Sequence, residues 1–187
     1  MAKLAVFLRG INVNGRMIKM DELRSVIQML PYRDVRTVLA SGNVLVTTDD
    51  ERLSLAEHQD AIAAKLSAFL GYDATVVVKS AAQIRAILTE AAGHVVPDGY
   101  HHYILLSQDD LPGQNNRLGE QLAVMFERCQ KIGFERLILD QQGIYWLVPK
   151  GDTLHSEFGQ NVLGQKAFRN VLTSRTVQTI QRVAALL

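Results

Sequence analysis

The chain has 187 residues, 48% of them hydrophobic and 21% charged, which supplies apolar mass for one sizeable core or two small packed subdomains and argues against disorder. Twenty Lys and Arg stand against nineteen Asp and Glu, a formal net charge of +1, so no global field draws in nucleic acid or an anionic membrane, and any anion preference must be local. The single cysteine, Cys129, cannot form an internal disulfide, and its place in an apolar helical stripe reads as a buried, inert thiol suited to a reducing cytoplasm.

The run Leu4 to Leu8 reads as a buried central strand closed by Arg9 and Gly10, and it is too short for a signal peptide or a membrane span. A polar glycine loop follows, Arg9-Gly10-Ile11-Asn12-Val13-Asn14-Gly15-Arg16. Leu23, Val26, Ile27 and Leu30 then recur at helical spacing, with Asp21 and Glu22 in the first turn and Pro31 as the stop. Val35 to Ala40 and Val44 to Thr48 flank Ser41-Gly42-Asn43, a hairpin signal. Ser54 and Glu57 form a capping box for a helix carrying Leu55, Ile62, Leu66 and Phe69, which Gly71 ends. Ala74 to Lys79 is the next strand, so the first 79 residues read β-α-β-β-α-β, the split-βαβ order of ferredoxin-like folds.

A capped helix from Ser80 and a turn-rich linker, Gly93 to Gly99, lead into a second pass through the same pattern. Tyr103 to Leu106 is a strand core, and Leu118, Leu122, Met125, Phe126 and Cys129 share one helix face. Phe134 to Leu139 and Ile144 to Val148 flank a second hairpin turn, Leu154, Phe158 and Val162 mark a helical stretch, and a last helix is expected from about Thr173. The fold expected is therefore α+β, with two ferredoxin-like subdomains of antiparallel strands at 1–92 and 93–187. The second lacks its last strand and ends in a helix.

In such a unit the first strand ends at the edge where the second turns into the third, so two loops meet there. Arg9, Asn12 and Asn14, with the Gly10 backbone, converge with Ser41 and Asn43 and with the N-terminus of the Asp21 helix, a donor-rich volume suited to a phosphate or carboxylate. The competing reading is that these amides and glycines serve only their own tight turns. The matching loop of the second half, Ser107 to Gly113, carries Asp109 and Asp110 and would repel the same ligand. Gly10 and Gly15 have P-loop spacing, but Arg16 and Met17 stand where Lys and Ser or Thr belong, which excludes a nucleotide triphosphatase of that type. Val44, Leu45 and Val46 offer no stacking aromatics for RNA. His58, His94 and His155 are isolated in sequence, and His101 and His102 point to opposite faces of a strand, so no metal site is expected. Lys150, Lys166, Arg169, Arg175 and Arg182 make the C-terminal stretch locally basic, and Arg175, placed in the first turn of a helix, is a candidate second charge for an anion.

Leu8-Arg9-Gly10-Ile11-Asn12-Val13-Asn14-Gly15, with Met20, Leu23 and Arg24 and then Ser41-Gly42-Asn43-Val44, resembles the bacterial family known as domain of unknown function 1697. Its Leu-Arg-Gly-Ile-Asn-Val-Gly-Gly loop is present with Asn14 replacing a glycine, and its Ser-Gly-Asn-Val hairpin is intact. Of its C-terminal Thr-x-Arg-Asn-Trp-x-Thr segment, Thr173, Arg175 and Thr179 match, while Thr176 and Val177 replace Asn and Trp. The resemblance implies a cytoplasmic α+β protein of two similar subdomains and carries no activity with it. Three readings stand: binding of a small anionic ligand, association with nucleic acid through a basic C-terminal helix, and a structural or interaction module. Residue types define no cofactor, no reaction and no oligomeric state.

Overall fold

The computed structural model describes residues 1–9, 12–13, 16–107 and 117–187, with backbone alone at 12, 13, 16, 17, 166 and 169. Its strands are β1 (Ala2–Arg9), β2 (Asn12–Val13), β3 (Arg16–Met17), β4 (Arg33–Val38), β5 (Asn43–Thr48), β6 (Thr75–Ser80), β7 (Tyr100–Ser107), β8 (Arg136–Leu139), β9 (Ile144–Pro149) and β10 (Leu172–Thr176). Its helices are α1 (Met20–Ile27), α2 (Leu55–Leu70), α3 (Ala81–Ala91), α4 (Arg117–Arg128), α5 (Glu157–Gly164), α6 (Lys166–Arg169) and α7 (Val177–Ala184). The chain divides into two compact units, Met1–Arg85 with Gln181–Leu187, and Ala86–Ile180.

In the first unit the sheet order is β4-β5-β1-β6, antiparallel throughout. Leu4, Val6 and Leu8 of β1 pack into one core with Val44 and Val46 of β5, Leu23 and Ile27 of α1, and Ile62 and Leu66 of α2. Ala5 and Phe7, on the opposite face of β1, are also fully buried. That two-sided burial is why β1 reads as an unbroken apolar run instead of an alternating one. α2 is framed as its sequence dictates. The Ser54 hydroxyl accepts from Glu57 N at 3.2 Å while the Glu57 carboxylate accepts from Ser54 N at 2.7 Å, and Gly71 closes the helix at φ 77°.

The second unit has the same arrangement, β10-β7-β9-β8, again antiparallel. Trp146, Phe126, Phe158, Leu122 and Val162 form its core. Trp146 donates to Glu135 at 2.9 Å, which gives that buried carboxylate a partner. Gly159 of α5 is held close to its surroundings: a Cβ there would meet the Thr153 carbonyl and Trp146.

One expectation is corrected here. The second unit does not lack its fourth strand, because Leu172–Thr176 pairs antiparallel with β7 as β10 and the last helix begins only at Val177. Thr173 and Arg175 are buried polar residues, so β10 shows none of the apolar alternation that marks a strand. The Thr176 hydroxyl accepts from Thr179 N at 3.3 Å, and this cap sets where strand gives way to helix.

Candidate functional site

β1 does end beside the hairpin. Leu8 N donates to Gly42 O at 2.8 Å, and Phe7 stands opposite Asn43 in the β1–β5 register, while Arg9 stands opposite Thr75 of β6. Alternation along β1 puts Arg9 on the face of Ala5 and Phe7, away from the core that holds Leu8. Asn43 lies on that face too and is 1% exposed. Both hydrogens of its amide are committed inside the turn: Nδ2 donates to Val38 O at 2.8 Å and to the Ser41 hydroxyl at 2.9 Å. Asn43 therefore orders the hairpin, and Ser41 is the exposed polar side chain at its tip. Gly42 at φ 71° and Leu39 at φ 61° turn the chain there, and Leu39, 42% exposed, is held in a conformation that costs a branched side chain roughly 1 kcal/mol.

The loop between β1 and α1 is partly a two-residue ribbon, with Asn12 opposite Met17 and Val13 opposite Arg16. The sequence-derived site residues Gly10 and Asn14 lie outside the described residues, and of Asn12 only the backbone is described. The α1 N-terminus is already served by its own acids, since Glu22 accepts from Lys19 N at 3.1 Å and Asp21 occupies the same turn. Two carboxylates therefore already stand at that helix end, where an added anion would meet them.

Arg175 is not in a helix. It lies in β10, 9% exposed, and its Nη1 donates to the Thr173 hydroxyl and to Ser174 O, each at 2.7 Å. It belongs to the second unit, and α7 itself carries Arg182 as its single cation, so the basic C-terminal helix expected for nucleic acid is mostly absent. The acidic loop at 108–116 lies outside the described residues.

Sequence reasoning missed a polar cluster in the second unit. His94 is not isolated: its Nδ1 lies 3.1 Å from His102 Nε2 and its Nε2 lies 2.7 Å from Asp140 Oδ2. Tyr145 donates to Glu90 at 2.7 Å and to Ile87 O at 3.0 Å, and its ring packs edge-on against His94. Burial, and after it the adjoining His94, push His102 down to about 4. Burial, reinforced by the hydrogen bond to Glu90, raises the Tyr145 phenol. The eight-residue spacing of the histidines across a turn was the one available signal, and Asp140 is 46 residues from His94. His58, which is buried, is also paired, 2.9 Å from the Tyr32 hydroxyl. Among the described residues no group of three or more His, Cys, Asp or Glu is placed to hold a metal ion.

These features define an α+β protein of two four-stranded antiparallel sheets with a polar edge at the first strand's end. The chain belongs to the family described as protein of unknown function DUF1697, whose model matches residues 1–132. Its fold is similar to that of a conserved bacterial protein, SP0830, from Streptococcus pneumoniae, at 20% identity and a TM-score of 0.69, covering 100% of this chain and 98% of that one. No curated protein matches the chain. Among the described residues no helix is long and apolar enough to cross a membrane.

Proposed function

We propose that the protein binds a small anion bearing phosphate or carboxylate at the edge where β1 ends and the β4–β5 hairpin turns. Arg9 supplies the charge. The Ser41 hydroxyl and the loop amides of Gly10, Asn12 and Asn14 supply donors, and Asn43 acts by holding the hairpin in place. The observation that carries this reading is the bond from Leu8 N to Gly42 O, which ties the strand bearing Arg9 to the turn bearing Ser41. Arg175, the second charge expected from the sequence, is bonded to Thr173 and Ser174 of its own strand, and the site proposed here rests on Arg9. With a net charge of only +1, the attraction is a local one for a compact anion, not a field for a polymer. A single buried cysteine agrees with a cytoplasmic setting for such a ligand.

A melting-temperature survey tests this reading. Wild type and Arg9→Ala are heated with inorganic phosphate, nucleotides and short dicarboxylates at low and moderate salt, since a ligand that binds only the folded state raises the midpoint by mass action. At least one anion is expected to raise the wild-type midpoint by several degrees and to leave Arg9→Ala unmoved. No shift for any anion in wild type, or equal shifts in both proteins, refutes it.

A further inference from the structure

Along β4 the pairing with β5 slips by one residue. Arg33 stands opposite Thr47 and Arg36 opposite Leu45, so Asp34 and Val35 together face Val46. Val35 and Val46 lie in the core shared with α1 and α2. Asp34 is therefore the extra residue of a bulge, at φ 50°, and its Oδ2 lies 3.4 Å from the Thr47 hydroxyl, on the other face of the sheet. Asp tolerates that left-handed backbone where most side chains do not, and the bulge is what brings an acid onto this face. Two cations share the face. Lys3 stands opposite Thr47 from the β1 side and Arg36 opposite Leu45 from the β4 side. With strands about 4.8 Å apart, their Cα atoms are about 12 Å apart across β5, so two long side chains can meet at a common point. Arg33, a third cation nearby, is already paired with Asp49 at 2.7 Å. Among the described residues the side chains of Lys3 and Arg36 have no ion pair or hydrogen bond.

Lys3, Asp34, Arg36 and Thr47 line one cavity of about 100 Å³, partly open to solvent, with Leu45 and Leu186 on its apolar wall. It lies within the first unit, at the opposite end of β1 from Arg9, and does not depend on the site proposed there. Two unpaired cations suit a carboxylate, an acid held by a single long hydrogen bond suits an ammonium, and the leucines suit a short aliphatic chain. A bare anion would face Asp34 and a bare amine would face both cations, so like charges disfavour each of them against a ligand that carries both signs. An apolar cavity of about 150 Å³ takes a benzene-sized molecule, so about 100 Å³ takes a three-carbon side chain with its charged end at the mouth. We propose that this cavity binds a small aliphatic α-amino acid, its carboxylate between Lys3 and Arg36, its ammonium on Asp34 and its side chain against Leu45 and Leu186.

The test is a set of ¹H–¹⁵N spectra of the whole chain titrated at neutral pH with L-valine, with isovalerate, which lacks the ammonium, and with isobutylamine, which lacks the carboxylate. Valine is expected to shift the amides of residues 3, 34–36 and 45–47 together and to saturation, while those of 9 and 41–42 stay in place. Isovalerate and isobutylamine are expected to bind about tenfold more weakly or worse. Arg36→Gln should weaken valine by about tenfold. Asp34→Asn, which keeps a residue that tolerates the left-handed backbone, should bring valine down to the level of isovalerate. The proposal is overturned by the absence of saturable shifts at these residues up to the solubility of valine, by isovalerate or isobutylamine binding as tightly as valine, or by unchanged valine binding in either variant. The three wild-type titrations decide the matter even if a variant fails to fold.

Discussion

Asn43 shows how a residue suited to ligand binding is consumed by its own turn. Its two amide hydrogens go to Val38 O and Ser41 in a setting 1% exposed, so Asn43→Ala leaves a buried carbonyl short of a partner and should cost about 1–3 kcal/mol in urea denaturation. A loss below about 0.5 kcal/mol would contradict this assignment. The Ser-Gly-Asn signal was legible as a turn, because Gly and Asn tolerate positive φ. What the string could not show was that Asn43 is buried and already paired. His102 makes a different prediction. It is held at about 4 in the folded chain against roughly 6.5 when unfolded, so the unfolded chain binds more protons between those values. His102 thus contributes a stability term that is present above about pH 6.5 and lost as pH falls through about 4. Denaturation midpoints of wild type should therefore drop across that window more steeply than those of His102→Gln, and parallel slopes would exclude the assignment.

Elements were legible where local chemistry fixes their ends. Ser54, Glu57 and Gly71 bracket α2 by reciprocal hydrogen bonds and a left-handed closing residue, all decided within a few positions. Ser54→Ala should lower stability by about 1 kcal/mol, and no measurable change would show that the cap is not formed in solution. β10 was illegible for the opposite reason. Its residues Thr173, Ser174, Arg175 and Thr176 become a strand by pairing with Leu106, Leu105, Ile104 and Tyr103, a neighbour about seventy positions away, and nothing local announces it. Gly159 belongs to this class too. Its need for a hydrogen in place of Cβ comes from Thr153 and from Trp146 of β9, so Gly159→Ala should destabilise by about 1–3 kcal/mol, and a neutral outcome would mean that α5 shifts freely.

At the scale of the whole molecule the shared strand order is the main result: each unit is a four-stranded antiparallel sheet with its first strand at the centre. Repeated β-α-β-β-α order was readable from periodicity, because amphipathic helices and apolar central strands leave strong patterns over ten or more residues. The asymmetry expected between the units rests on sequence charge alone, Arg9 and amides at the end of the first strand against Asp109 and Asp110 after its counterpart, and the latter two lie outside the described residues. Where the two readings separate is the use of the polar groups, since a sequence lists donors without showing which are already spent. The most direct measurement is a ¹H–¹⁵N spectrum of the full chain titrated with inorganic phosphate at low salt. If the first-strand edge is an anion site, the amides of residues 9–14 and 41–42 shift together and saturate, and Arg9→Ala abolishes the change. Saturable shifts confined to other residues, or none at all up to high phosphate, would contradict the account.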